Sequence, residues 1–274
     1  MFYLVLSHLG GQKLDYKRFI TGRIVKLGSS VWPFLIMLAT LYLLFHIHFE
    51  WLDLILNFFF LGYLGELPGN EHLWFLTVLM ACYAEMILLI NFRPAWKWFP
   101  WVFLVIMEGL MIGSEMNGLP GHTFSFLGLY GFVFLLGKEC IRESKKLSLW
   151  NILAIVAINI LHLWLCYHGL FEKSRPLTFL LSDVCGLSLL MLMLRYLPDN
   201  SNRIIGFISG ISFEIYIVRH TLCAGPFLRV THWPYGYVLD FLIMTGIAVV
   251  LAVGLNMISK RLSGALQSLF SLTN

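Results

Sequence analysis

The chain has 274 residues, of which 59% are apolar and only 12% charged, and its formal net charge is +4. A soluble domain carries about twice that charged fraction, so an ordinary water-soluble fold is excluded, and nothing in the charge points to nucleic acid. Apolar runs near 20 residues recur along the chain, each long enough to cross a hydrocarbon core of about 30 Å. The expected fold is all-α: a polytopic transmembrane helical bundle of about eight complete spans, preceded by an N-terminal partial helix. Residues 1–262 are expected to form a single transmembrane domain, with 263–274 a short cytoplasmic tail.

In chain order, "MFYLVLSHL" comes first. As a helix it reaches about 14 Å, half a membrane. It has neither a basic n-region nor a small-residue cleavage site, so it does not read as a signal peptide; it reads as the tail of a helix. A basic run, "KLDYKRFITGRIVKLGSSVWPF" (13–34), leads into the first span, 28–48. Segment 50–71, "EWLDLILNFFFLGYLGELPGNE", is apolar but broken by Gly62, Gly65, Pro68 and Gly69. It carries acids and no basic residue, and reads as an interfacial or re-entrant stretch on the outer face. The remaining spans are 72–92, 99–114, 121–137, 150–170, 177–197, 205–227 and 237–258, divided by Pro-, Gly- and Asn-rich breakers; the third and fourth spans are short.

Basic residues set the orientation. One alternating set of loops holds fifteen Lys and Arg, from Lys13 to Arg261, and the opposite set holds only Lys173, Arg175 and Arg229. This positive-inside asymmetry places residues 10–27 and the C-terminus in the cytoplasm, which requires an even number of spans. The five cysteines, Cys82, Cys140, Cys166, Cys185 and Cys223, are scattered and read as buried apolar side chains rather than a disulfide or zinc framework.

Three stretches could carry chemistry. In the basic run, Arg23 and Lys26 share a face if the segment is helical. With Arg18 they form either ordinary positive-inside retention in contact with anionic membrane lipid, or a clamp for a phosphorylated cytosolic substrate. In "NEHLWFL" (70–76), Trp74 suits the interfacial aromatic belt, and His72 beside Glu71 is a solvated loop residue or a catalytic one. In "SFEIYIVRHT" (212–221), Ser212, Tyr216 and His220 lie along one helix face, with Arg219 beside them and Glu214 pointing away near mid-span. Ionisable groups at that depth face a bundle interior or wet cavity, although Arg219 and His220 could also snorkel to the outer interface. Glu85, Glu108, Asn159, His162, Asp183 and Asp240 read individually as packing residues. No metal-binding, P-loop, nucleophile-elbow or dinucleotide motif is present.

Taken in order, these stretches resemble the membrane-bound acyltransferase 3 family. The basic run closing in a Pro-aromatic pair, "HLWFLTVL", "LYGFVFLLGKEC" (129–140) and "SFEIYIVRH" each match a family stretch, and the resemblance runs from Met1 to about residue 258. Two departures accompany it. The family's first helix, with an arginine and a histidine eleven residues later, has no counterpart, and Arg219 stands where the C-terminal signature has its first histidine, although His220 remains. The resemblance implies acyl transfer, most often of acetyl from cytosolic acyl-coenzyme A, to a hydroxyl on a sugar or similar acceptor, in a bacterial inner membrane. No bound cofactor or metal is expected. Arg18, Arg23 and Lys26 are expected to hold the donor, His220 to act as the retained catalytic base, and His72, Trp74, Glu214, Tyr216 and Arg219 to line the cavity. Without the family's first helix, the chain is expected to show little activity alone. A transporter or exporter of a lipid-linked sugar is the main rival, but such proteins often show internal symmetry and none is visible; a structural partner subunit is a third reading.

Overall fold

The computed structural model describes residues 16–91, 96–169, 174–196, 203–223 and 237–271. The expected partial helix at 1–9 lies outside them. Among the described residues there are ten α-helices: α1 Tyr16–Leu44, α2 Trp51–Phe58, α3 Trp74–Asn91, α4 Phe99–Met116, α5 His122–Leu136, α6 Lys138–Lys145, α7 Leu149–Tyr167, α8 Arg175–Tyr196, α9 Arg203–Cys223 and α10 Tyr237–Ser271. A short 3-10 turn, Glu71–Leu73, leads into α3.

The all-α expectation holds, and among the described residues each of the eight apolar segments is largely helical. Six are both long and apolar enough to cross a membrane: Arg18–Leu44, Glu71–Asn91, Phe99–Met116, Leu149–Tyr167, Arg175–Tyr196 and Leu239–Ser268. Helix α5 falls short with 15 residues, a rise of about 22 Å. Helix α9 has the length but carries Glu214 and Arg219 in its apolar run. Helix α1 starts well before the expected span, so Arg18, Arg23 and Lys26 sit on its first turns rather than in a loop. The last helix continues to Ser271, through most of the segment read as a tail.

The chain divides into two compact units. The first contains α1, α2, the loop to residue 73, the start of α3, α9 and α10. Its core is a stripe on α1, where Val31, Phe34, Leu35, Leu38 and Tyr42 recur at helical spacing and are all at most 1% exposed. The facing positions on α9 are Glu214, Ile217, Val218 and Thr221, again one helical face and all buried. Helix α10 packs along both α9 and α1. The opposite face of α1 exposes Ile36, Met37, Leu43 and Leu44, as a helix bordering lipid would.

Polar side chains join the helices of this unit. Ser29 and Ser30 on α1 each lie 2.9 Å from the Ser259 hydroxyl on α10. Asn256 donates to the Gly210 carbonyl of α9 at 2.9 Å. Lipid competes poorly for such groups, so short hydroxyl and amide side chains serve as interhelical contacts inside membranes.

The segment after α1 folds back on its own polar groups. Asn57, fully buried, donates to the carbonyls of Asp53 (2.9 Å) and Gly65 (2.8 Å). Thr77 donates to the Phe60 carbonyl at 2.8 Å and accepts from the Tyr63 amide at 3.1 Å. Gly62 is pressed against the start of α3: a Cβ there would stand 2.7 Å from the Leu73 carbonyl oxygen. The glycines that break the apolar pattern in the sequence are therefore close-approach points that seat the loop before α3.

The second unit holds the rest of α3 and α4 to α8. Helices α4 and α5 pack most closely, because Gly128 and Gly131 leave room for Met107 and Phe103. Trp101 meets Phe132 edge-on at 4.8 Å. Helix α8 joins α7 through Asn159 to Ser188 (3.0 Å) and through Ser182 with His162 (3.1 Å). It joins α5 through Ser125, which donates to Asp183 at 2.5 Å. Arg195 donates to the Lys145 and Leu147 carbonyls, placing a cation at the C-terminal end of α6.

Candidate functional site

Two of the three candidate stretches meet in the first unit. Tyr216 and His220, one turn apart on α9, both reach the loop that precedes α3. The Tyr216 hydroxyl donates to the His72 carbonyl at 3.0 Å, and His220 Nδ1 lies 3.2 Å from the Gly69 carbonyl. A carbonyl can only accept, so Nδ1 carries a proton, and in the neutral form of the ring the lone pair is on Nε2. Thr221 donates to Asn70 Oδ1 at 2.6 Å, and Asn70 Nδ2 donates to the Tyr42 hydroxyl at 3.1 Å. Tyr42 in turn donates to the Pro68 carbonyl at 2.5 Å. The stretch from Pro68 to His72 is thus held by α1 and α9.

The clamp delivers His72 onto His220. Their rings are stacked, with centroids 4.3 Å apart and planes 24° from parallel, and Tyr216 meets His72 edge-on at 5.2 Å. His72 is 7% exposed. The Ile217 carbonyl faces its ring, yet neither ring nitrogen makes a hydrogen bond of normal geometry among the described residues. His220 is half-buried.

The other candidates are placed differently. Glu214, expected on a cavity wall, is 4% exposed and accepts a hydrogen bond from Ser30 at 2.9 Å. Ser212 is exposed and bonds back to the Ser209 carbonyl. Arg219 is exposed, and Trp74 is half-buried beside Phe75. Arg18 and Lys26 are exposed on the first turns of α1, and the Arg23 guanidinium lies 5.1 Å from the Phe19 ring centre. Sixteen residues of α1 separate Lys26 from Tyr42, a rise of about 24 Å. The basic cluster and the histidine pair therefore belong to opposite ends of that helix. No group of three or more His, Cys, Asp or Glu suited to a metal occurs among the described residues.

Sequence reasoning missed Asn70, Thr221, Tyr42, Ser30 and Ser259. None carries a charge or a spacing motif; their role follows from the partner each meets.

A family model described as an acyltransferase domain matches residues 2–257. The chain belongs to the acyltransferase 3 family. It is an integral membrane protein of several apolar helices, and its family performs acyl transfer. Both "HLWFL" and "SFEIYIVRH", the stretches on which the resemblance rests, lie inside the matched region and supply the two sides of the histidine pair. No curated protein and no solved structure is significantly similar to the chain.

Proposed function

We propose that this acyltransferase 3 protein transfers an acyl group, most often acetyl, from acyl-coenzyme A to a hydroxyl of a sugar or similar acceptor at the membrane. The observation that carries the reading is His220, whose Nδ1 proton is committed to the Gly69 carbonyl. That bond fixes the tautomer and leaves Nε2 as the base, the state needed to take a proton from an attacking hydroxyl. The acceptor hydroxyl then attacks the thioester carbonyl, and the thiolate leaves with the proton that His220 returns.

Arg18, Arg23 and Lys26 suit the phosphates of coenzyme A, since guanidinium and ammonium groups pair with phosphate oxygens. The rise of about 24 Å along α1 from Lys26 to Tyr42 favours a donor with a long, thin arm, and the pantetheine of coenzyme A is such an arm. The fifteen-to-three asymmetry of basic residues supports a cytoplasmic basic cluster and C-terminus, with the acceptor reached from the outer side of a bacterial inner membrane. Oxygen acetylation of a surface polysaccharide is the process this chemistry fits.

The test uses membranes containing the full chain and acetyl-coenzyme A with a radiolabelled acetyl group. Label is expected in the carbohydrate fraction, with equal release of free thiol, at the low rate expected of this chain alone, and His220→Ala is expected to lower that rate by about 10²–10⁴-fold. Uptake of a sugar or lipid without any covalent acetylation would favour a transporter instead.

A further inference from the structure

We infer that Asn70 is a positioning residue for His220: it holds the Gly69 carbonyl in place and so sets which ring nitrogen carries the proton. The effect on rate rests on the acyl-transfer reading above, whereas the hold itself is a property of the folded chain. The protonated nitrogen of a neutral histidine is chosen by the hydrogen bond it makes. Whatever aims the Gly69 carbonyl therefore chooses the tautomer of His220.

That carbonyl belongs to a tight turn. The Asn70 amide donates to the Leu67 carbonyl at 2.8 Å, closing a turn with Pro68 in second place and Gly69, at φ 69°, in third. Proline followed by a residue of positive φ makes a type II turn, and glycine takes that φ without strain. The peptide unit joining Gly69 to Asn70 is planar, so its C=O and N–H point in opposite directions. The N–H is fastened to Leu67, and the C=O is left facing α9, where His220 Nδ1 lies 3.2 Å away.

Such a turn could still swing as a body, and the Asn70 side chain opposes this. Its Nδ2 lies 3.3 Å from the Pro68 carbonyl and 3.1 Å from the Tyr42 hydroxyl. A carbonyl only accepts, which settles that atom as the amide nitrogen and its neighbour as Oδ1. Oδ1 then accepts from the Thr221 hydroxyl at 2.6 Å. Asn70 follows Gly69 and Thr221 follows His220, so this bond holds the carbonyl and the imidazole in register. Asn70, Tyr42 and Thr221 are all buried, where an unmatched polar group costs roughly 1–3 kcal/mol. One side chain thus ties the turn to α1 and to α9.

The test is nitrogen NMR of the full chain with isotope-labelled histidines, in lipid bilayers at mildly alkaline pH, with acetyl transfer and thermal unfolding of the same variants. The His220 signals are assigned by their loss in His220→Ala, and the parent is expected to hold that ring as Nδ1–H. Asn70→Ala is expected to give a mixture of both tautomers and to lower kcat about ten- to hundredfold, with KM for acetyl-coenzyme A unchanged. Thr221→Val keeps the side-chain shape, removes one bond to Asn70, and is expected to give a smaller change of the same kind. A merely structural Asn70 would lower the unfolding midpoint and leave His220 wholly Nδ1–H, which overturns the inference. A mixed tautomer with unchanged kcat in an active protein overturns it too, because the place of the proton would not govern the rate. Should Asn70→Ala fail to fold, Thr221→Val decides: an Nε2–H signal from His220 supports the inference, and a spectrum identical to the parent's overturns it. The spectra need no substrate, so the two readings fail separately. A tautomer shift in Asn70→Ala with no acetyl transfer by the parent supports the hold and overturns the acyl-transfer reading.

Discussion

Ser30 and Glu214, 184 positions apart, are joined by a buried hydrogen bond of 2.9 Å. It ties the middle of α1 to the middle of α9, six residues before His220. The Ser259 hydroxyl lies 2.9 Å from Ser30 and extends the contact to α10. A carboxyl group this deep needs a donor, and Ser30 supplies it.

Replacing Ser30 with Ala removes that donor while leaving Glu214 buried. The unfolding free energy in detergent is expected to fall by about 1–3 kcal/mol. Glu214→Gln keeps an acceptor for Ser30 and is expected to cost less. A double-mutant cycle over the two positions tests the contact directly: additive effects would show that they do not interact.

Gly62→Ala places a methyl group 2.7 Å from the Leu73 carbonyl and 2.6 Å from Asn57 Oδ1. The start of α3 or the buried Asn57 side chain must shift. We expect a loss of about 1–3 kcal/mol. Because the same loop carries the Gly69 carbonyl that holds His220, we also expect acetyl transfer to fall by about tenfold or more through misplacement of that base. Unchanged stability together with unchanged rate would show that the loop yields without strain.

The basic end of α1 makes a kinetic prediction. Arg23→Ala with Lys26→Ala is expected to raise KM for acetyl-coenzyme A by about tenfold, with kcat little changed, as loss of uniform binding requires. Salt should weaken donor binding in the parent and do so less in the double variant. A selective fall in kcat with unchanged KM would remove these residues from the donor site.

Gly131→Ala probes the second unit. Its methyl group would stand 2.6 Å from the Phe103 ring and 2.8 Å from Glu85 Oε1, at a helix pair whose close approach depends on small residues. A destabilisation of about 1–3 kcal/mol is expected, measured as a lower unfolding midpoint.

Much of the helix pattern was legible in the sequence because a long apolar run in a chain this poor in charge has few alternatives to a helix. Boundaries were less so. Helix α1 extends back through the basic run, since Tyr16–Leu27 contains no breaker strong enough to stop it, and Arg18 and Lys26 lie exposed on its surface. The candidate site was half legible. "NEHLWFL" and "SFEIYIVRH" stood out because polar groups inside apolar stretches are costly, yet nothing in either stretch shows that Tyr216 bonds to His72 across 144 residues.

From the sequence alone came the membrane habit and the family to which its motifs point. These depend on composition and local spacing, which need no partner. Tertiary structure decided which polar groups are paired: that Glu214 turns to Ser30, that His220 is held by Gly69, and that His72 is brought to rest against it. Hydrogen bonds and ring stacking are set by distance in space, and distance between remote turns exists only once the helices have packed.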